Sequence, residues 1–260
     1  MANDPNDIVE LYCRNWDGLT PYARATIVHT EGATAAKAGA KAVVTAEGEL
    51  VGWIGGGCIR GAVLRAARQA MDAAAPKLIR VRPKEQITAP RDPDGIDIHP
   101  SGCPSKGRAE IFIEPVMPKP PLVIIGASQV ARALADLAAS ISVELISMDG
   151  GAKAIPLAEL QRRRGLERGF VVVATQGSGD LAALKAALAT DAPYVAFIAS
   201  QAKAKALRDR LAADGMSKEA LARLHAPAGI RIGAKTPSEI AVAILAEIIS
   251  IRRAAPQASS

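Results

Sequence analysis

The sequence predicts an α/β protein in two parts, a mixed α+β domain followed by a domain built on a doubly wound parallel sheet. Three features predict it. Continuous apolar strand-like runs alternate with helical segments after residue 121, the pattern of a sheet covered on both faces. Before residue 115 the runs are short and alternating, and they surround one strong amphipathic helix. Between the two lies a stretch with four prolines, Pro115, Pro118, Pro120 and Pro121. It stiffens the chain and disfavours regular structure. The boundaries are therefore drawn at 1–114 for the first domain, 115–121 for a proline-rich linker, 122–255 for the second domain and 256–260 for a disordered tail.

In the first domain, residues 25–30 form a β-branched run, and residues 41–45 and 50–54 flank Glu47-Gly48 as a hairpin. Gly55-Gly56-Gly57 leads into Cys58 and a helix reaching about Ala75, with Val63, Ala66, Ala67 and Ala70 on one face. Residues 78–81 and 109–114 are further strands. Residues 84–105, rich in Pro, Asp and Gly, are expected to be a long loop.

In the second domain, residues 122–125 are a strand, followed by Gly126 and a helix to about Ser140; residues 143–148 are the next strand, ending at Asp149. The runs 170–174 and 194–199 repeat the strand-then-helix rhythm. The last helix opens with Thr236 as N-cap, Pro237 at its first position and Glu239 completing a capping pattern. Arg162, Arg163 and Arg164 are expected on a solvated helix face.

The chain has 260 residues, 49% hydrophobic, 22% charged and only 3% aromatic, with a formal net charge of +6. An excess of this size suits an anionic ligand such as a phosphate-bearing cofactor. Aromatics interleaved with basic residues are missing, which argues against nucleic acid. No apolar stretch approaches membrane-spanning length and no signal peptide is visible, so the expected location is the cytoplasm, with no membrane span. Three cysteines without framework spacing fit a reducing compartment.

Two places could carry chemistry. Gly126-x-Ser128-x-x-Ala131 directly follows a strand, where a dinucleotide fingerprint belongs, and Asp149 stands where a ribose-binding carboxylate would. The second domain is therefore of Rossmann type. Ser128 occupies the central glycine position, and its Cβ crowds the closest approach of a pyrophosphate. At Gly55-Gly56-Gly57-Cys58 a glycine turn opens a helix, presenting unpaired N–H groups and the positive end of the dipole; a cysteine there is favoured as thiolate. Ordinary packing is the alternative for Cys58, and the preferred reading for Cys13. Cys103 sits at the edge of the long loop, and the sequence does not say whether it approaches Cys58. Asp180 lies at a strand's C-terminal end, where α/β sheets bind ligands, and a helix-opening residue stabilising the dipole is the preferred reading over a ligand contact. His29, His99 and His225 are scattered without helical pairing, so a protein-only metal site is not expected.

Three blocks together resemble the XdhC/CoxI family. The first is Ala25-Thr26-Ile27-Val28, Glu31-Gly32, Gly39-Ala40-Lys41 and Gly55-Gly56-Gly57-Cys58. The second runs from Cys103 through Ile111-Phe112-Ile113-Glu114-Pro115. The third is His225-Ala226-Pro227-Ala228-Gly229-Ile230 with Ile232-Gly233-Ala234-Lys235-Thr236-Pro237-Ser238-Glu239-Ile240-Ala241. Cys103-Pro104-Ser105 and Ala174-Thr175-Gln176-Gly177 are most similar to the CoxF-like members that accompany aerobic carbon monoxide dehydrogenase. The chain departs from the family at Ser128 and Gln129 (a glycine and a histidine), at Arg60 (an acidic residue), and at Ala199 and Gln201 (a glycine and a basic residue).

The resemblance implies an accessory protein that binds the molybdenum cofactor and assists its sulfuration and insertion into a molybdenum hydroxylase such as carbon monoxide or xanthine dehydrogenase. It implies an apo-hydroxylase and a cysteine desulfurase as partners, and a homo-oligomer. The residues expected to hold cofactor are Gly55, Gly56, Gly57, Cys58, Cys103, Gly126, Ser128, Gln129, Asp149 and Gln176. The cofactor is the molybdenum cofactor, with a dinucleotide such as NAD(P) or FAD as a further candidate. On this reading the protein is a maturation chaperone without turnover of its own; the alternative is an NAD(P)- or flavin-binding oxidoreductase.

Overall fold

The computed structural model describes residues 5–104, 106–147, 156–177 and 179–254. They fall into two compact units, one ending at Pro118 and the other beginning at Lys119.

The first unit is a six-stranded sheet ordered β3-β2-β1-β6-β4-β5. Its strands are β1 (Tyr22–Glu31), β2 (Lys41–Thr45), β3 (Leu50–Gly52), β4 (Lys77–Pro83), β5 (Asp97–Ser101) and β6 (Arg108–Val116). The hairpin β2–β3 turns at Glu47-Gly48, where Gly48 has φ +85°. Helix α2 (Gly57–Ala73) lays Ala62, Val63, Ala66, Ala67 and Ala70 on the inward row of the sheet, among them Ala25, Ile27, Val44, Ile79, Ile111 and Ile113. Alanines on the helix let its backbone come close to the β-branched strand residues, so a dense core forms with few aromatics. On the opposite face, α1 (Pro5–Arg14) packs Val9 against Tyr22 and Val43, with Cys13 half-buried beside them. Ordinary packing accounts for Cys13.

Two expectations for the first unit are corrected. Residues 84–105 are not simply a loop, because they contain a 3₁₀ turn at Lys84–Gln86 and then β5, which runs parallel to β4. The connection is held by Asp92, whose side chain is nearly fully buried. One carboxylate oxygen accepts N–H bonds from Asp94 at 3.0 Å and Ile96 at 2.9 Å, and the other pairs with Arg80 on β4. Arg80 also donates to Glu110 on β6 at 2.8 Å, so one guanidinium ties two strands to the connection. The proline-rich stretch is also more ordered than expected, since Pro115 and Val116 end β6 and Pro121 opens β7 (Pro121–Ile125). Pro115 is tolerated because the β4 pairing stops at Ile113, leaving no ladder acceptor for its missing N–H on that side.

The second unit is a fully parallel five-stranded sheet ordered β11-β10-β9-β7-β8. Its further strands are β8 (Glu144–Ser147), β9 (Phe170–Val173), β10 (Tyr194–Phe197) and β11 (Leu224–His225). Helices α3 (Gln129–Ala138) and α7 (Pro237–Ala254) cover one face, placing Leu134, Ile244 and Ile248 against Leu122, Ile124 and Val172. Helices α4 (Asp180–Leu188), α5 (Gln201–Ala213) and α6 (Lys218–Ala222) cover the other, over Val123, Ile125, Val171 and Val173. This is the doubly wound Rossmann-type architecture read from the strand runs. The opening of α7 is a capping box: Glu239 N–H donates to Thr236 Oγ1 at 3.3 Å, and Thr236 N–H donates to Glu239 Oε2 at 2.9 Å.

Arg162 is exposed on a short 3₁₀ helix, but Arg163 and Arg164 are not on a helix face. A 3₁₀ segment ends at Arg162, and Arg163 turns extended to pair with Glu144. The short elements α6 and β11 are additions to the sequence reading. Asp149 and the tail 256–260 lie outside the described residues, and none of the described helices is long and apolar enough to cross a membrane.

Candidate functional site

The first unit brings Cys58 and Cys103 to one cleft of about 330 Å³, walled also by Thr34, Ala35, Ser101 and Gly107, with Ile59 and Val81 among its apolar residues. The parallel pairing of β4 and β5 makes this possible. Both strands end on the same edge, so β5 delivers the segment carrying Cys103 to the side where α2 begins. Ser101, buried at the end of β5, accepts the Cys103 N–H at 3.2 Å and fixes the turn. Both thiols are exposed, and the described residues contain no disulfide.

The three glycines before Cys58 do different things. Gly55 has φ +112°, and a Cβ there would stand 3.1 Å from Ala36 Cβ, so Gly55 makes the turn. Gly56 and Gly57 have ordinary φ and nothing within 4 Å of a built Cβ, so the space above them is open. Helical bonding starts with Arg60 N–H to Gly56 C=O at 3.0 Å, and no side chain caps the end. The N–H groups of Gly57, Cys58 and Ile59 therefore lack a helical acceptor and point with the dipole's positive end. The first turn carries no acidic residue. Lys84 Nζ lies 3.9 Å from the Cβ position of Gly102, beside Cys103, and adds positive charge near the cleft. The arrangement combines an anion-receptive helix end with two thiols.

The second unit assembles Gly126, Ser128, Gln129 and Gln176 at the carboxyl ends of β7 and β9, the crevice where the strand order reverses. Gly126 has φ +112°, and a Cβ there would stand 2.5 Å from the Ala174 carbonyl oxygen. It is needed for close passage past β9. Ser128 is buried and caps α3, its Oγ accepting the Ala131 N–H at 3.0 Å. That hydroxyl is engaged with its own helix, and one donor that a pyrophosphate could use is already satisfied. Gln129 and Gln176 are exposed, and Gln176 holds φ +53°, a left-handed conformation that a non-glycine residue adopts at a cost. Replacing Ser128 with alanine is expected to destabilise the second unit by ~1 kcal/mol through loss of the cap. Urea denaturation followed by circular dichroism checks this.

Asp180, at the first position of α4, braces the neighbouring turn. It accepts from the Thr175 hydroxyl and from Gly177 N–H at 3.0 Å, and it pairs with Lys203 on α5. Burial pushes its carboxyl up, but the Lys203 ammonium, the Thr175 hydroxyl and the Gly177 N–H outweigh burial and hold it below the ordinary carboxylate range. Asp180 is a structural brace, as its place at a helix start suggested.

The block beginning at His225 is fixed by a residue that sequence reasoning missed. Glu247 on α7 accepts from Tyr194 Oη at 2.7 Å and Gly229 N–H at 2.8 Å, and it lies 3.0 Å from His225 Nδ1. Burial, with the Glu247 carboxylate beside it, pushes the Tyr194 hydroxyl far up. The signal was available: Glu247 is a charge on the apolar stripe of α7, next to Ile244 and Ile248. The loop it holds walls a groove of about 900 Å³ with Ser200 and Gln201. Among the described residues no group of His, Cys, Asp and Glu is arranged to hold a metal ion by itself.

Comparison with known proteins bears on both units. Residues 16–82 match the XdhC and CoxI family, and residues 122–248 match the XdhC Rossmann domain. The uncharacterized protein YqeB of Escherichia coli (strain K12) is 31% identical over 252 residues, covering 91% of this chain and 44% of that protein. The chain thus spans less than half the length of that relative. A solved structure described as a xanthine dehydrogenase from Bacillus halodurans is 19% identical, with a TM-score of 0.47, covering 99% of this chain and 98% of that one. The two family matches fall on the two units in the same order, and the chain belongs to the XdhC and CoxI family.

Proposed function

We propose that this protein binds the molybdenum cofactor in the Cys58–Cys103 cleft and assists its sulfuration and insertion into an apo molybdenum hydroxylase, with a cysteine desulfurase as sulfur donor. The observation that carries the reading is the convergence of two exposed thiols on an uncapped helix N-terminus with open space over Gly56 and Gly57. The residues fit such a group. The N–H groups of Gly57, Cys58 and Ile59 suit an anionic phosphate, and Cys58 and Cys103 supply soft sulfur ligands. Bound, the cofactor would supply the molybdenum and the dithiolene sulfurs. The chain's own part is to hold the phosphate by N–H groups, to offer thiols beside it, and to keep it in a half-enclosed cleft. The CoxF-like placement, with carbon monoxide dehydrogenase as client, belongs to this proposal.

A second reading, an NAD(P)- or flavin-dependent oxidoreductase, draws on the crevice at Gly126. Against it stands Ser128, whose hydroxyl occupies the Ala131 N–H. The full chain is incubated separately with molybdopterin, NAD(H) and FAD, and the ligand that co-elutes is measured. Molybdopterin is expected to co-elute, and Cys58→Ser and Gly57→Ala are each expected to lower its retention about tenfold. Gly57→Ala should leave stability within ~0.5 kcal/mol, because its methyl meets no neighbour. Co-elution of NAD(H) or FAD alone would replace this reading with the second one.

A further inference from the structure

We propose that Cys58 and Cys103 form a paired modification site, closed by a peroxide into an intramolecular disulfide across the cleft they share and reopened by a dithiol reductant. Both thiols are exposed and line the same cleft, although they come from the first turn of α2 and from the turn after β5. Cys13, by contrast, is half-buried beside Val9, Tyr22 and Val43. A shared cleft and exposure therefore select one pair among three cysteines.

The surroundings favour the chemistry. Peroxide-sensitive cysteines are accessible and placed next to a second thiol that resolves the first oxidation product. Cys58 stands among N–H groups at the positive end of a helix, with no carboxylate in its first turn. Cys103 lies just after β5, with its N–H held by Ser101 Oγ at 3.2 Å, so the turn fixes its place beside the cleft.

The Cys58 thiolate attacks one peroxide oxygen. The O–O bond breaks, a sulfenic acid forms, and the departing hydroxide takes a proton to become water. The Cys103 thiolate then attacks the Cys58 sulfur, forming the S–S bond and breaking the S–O bond; the hydroxide released becomes a second water. Two thiols and one peroxide give one disulfide and two waters, the sulfurs losing the two electrons that the peroxide gains. A dithiol reductant reverses the state by thiol–disulfide exchange.

Disulfide formation requires no particular ligand in the cleft. Its consequence, that oxidation excludes the cofactor, rests on the function proposed above. The full chain is reduced, desalted, treated with hydrogen peroxide and digested without reduction, and the peptides are weighed. A peptide joining Cys58 to Cys103, two hydrogens lighter than the sum of its parts, is expected, with Cys13 still open to alkylation. Cys58→Ser and Cys103→Ser should each abolish it, and Cys103→Ser should leave Cys58 carrying oxygen adducts. Both thiols remaining alkylatable, separate oxidation of each, or a link to Cys13 would overturn the pair. Molybdopterin retention is read on the same samples. A link that forms without lowering retention keeps the pair and removes the cofactor from this cleft. Cys58-dependent retention without any link keeps the cofactor site and removes the pair.

Discussion

Replacing Gly126 with alanine is expected to cost the second unit ~4 kcal/mol or more, enough to lose most soluble protein. The added methyl would stand 2.5 Å from the Ala174 carbonyl oxygen, 2.7 Å from its carbon and 2.9 Å from Thr175 N, all backbone atoms of the adjoining strand end. The residue would also have to hold φ +112°, which costs ~1–3 kcal/mol outside glycine. No flexible side chain can yield to relieve the overlap. Soluble yield and urea denaturation read the effect, with Gly57→Ala as the contrast. Gly126 stands in the turn before α3 and Gly57 opens α2, yet only Gly126 is needed for packing. Equal stability of the two variants would contradict the account of the β7–α3 turn.

Replacing Glu247 with alanine is expected to destabilise the second unit by ~3 kcal/mol, lowering its Tm by roughly 10 °C. Tyr194 is fully buried and loses the acceptor of its hydroxyl, and the Gly229 N–H and His225 Nδ1 lose theirs. Each buried donor left unpaired costs ~1–3 kcal/mol. Glu247→Gln keeps one acceptor oxygen and is expected to recover about half of the loss. Differential scanning calorimetry reads both variants. The residues of the His225 block then have a structural meaning, because one carboxylate fastens the strand, the loop after it and the last helix together.

Much of this architecture was legible in the sequence because its signals are periodic. The inward alanines of α2 and the apolar runs of β7, β9 and β10 announce themselves at helical and strand spacing. Asp97–Ser101 did not, since an aspartate, a histidine and a proline have little strand preference. Tertiary pairs hold that strand: Lys77 and Arg91 both reach Asp97, at 2.9 and 2.8 Å, and together hold its carboxyl below the ordinary range. The candidate site was legible only in halves. Glycines before a cysteine at a helix start are visible in one dimension, so Cys58 could be singled out. Its meeting with Cys103 depends on the parallel turn of β5 beside β4, which periodicity does not record. Ser128 was legible as a departure from a fingerprint, but its role as the cap of α3 depends on side-chain direction.

The central claim, that this protein matures the molybdenum centre of another enzyme, is tested most directly on that enzyme. The client hydroxylase is purified from a strain lacking this protein, and its molybdenum, its cofactor sulfur and its activity are measured. The account predicts a client that is synthesised and folded yet inactive, lacking a sulfurated molybdenum centre, and restored by the wild-type chain but not by Cys58→Ser. A fully assembled, active centre in the deletion strain would contradict it.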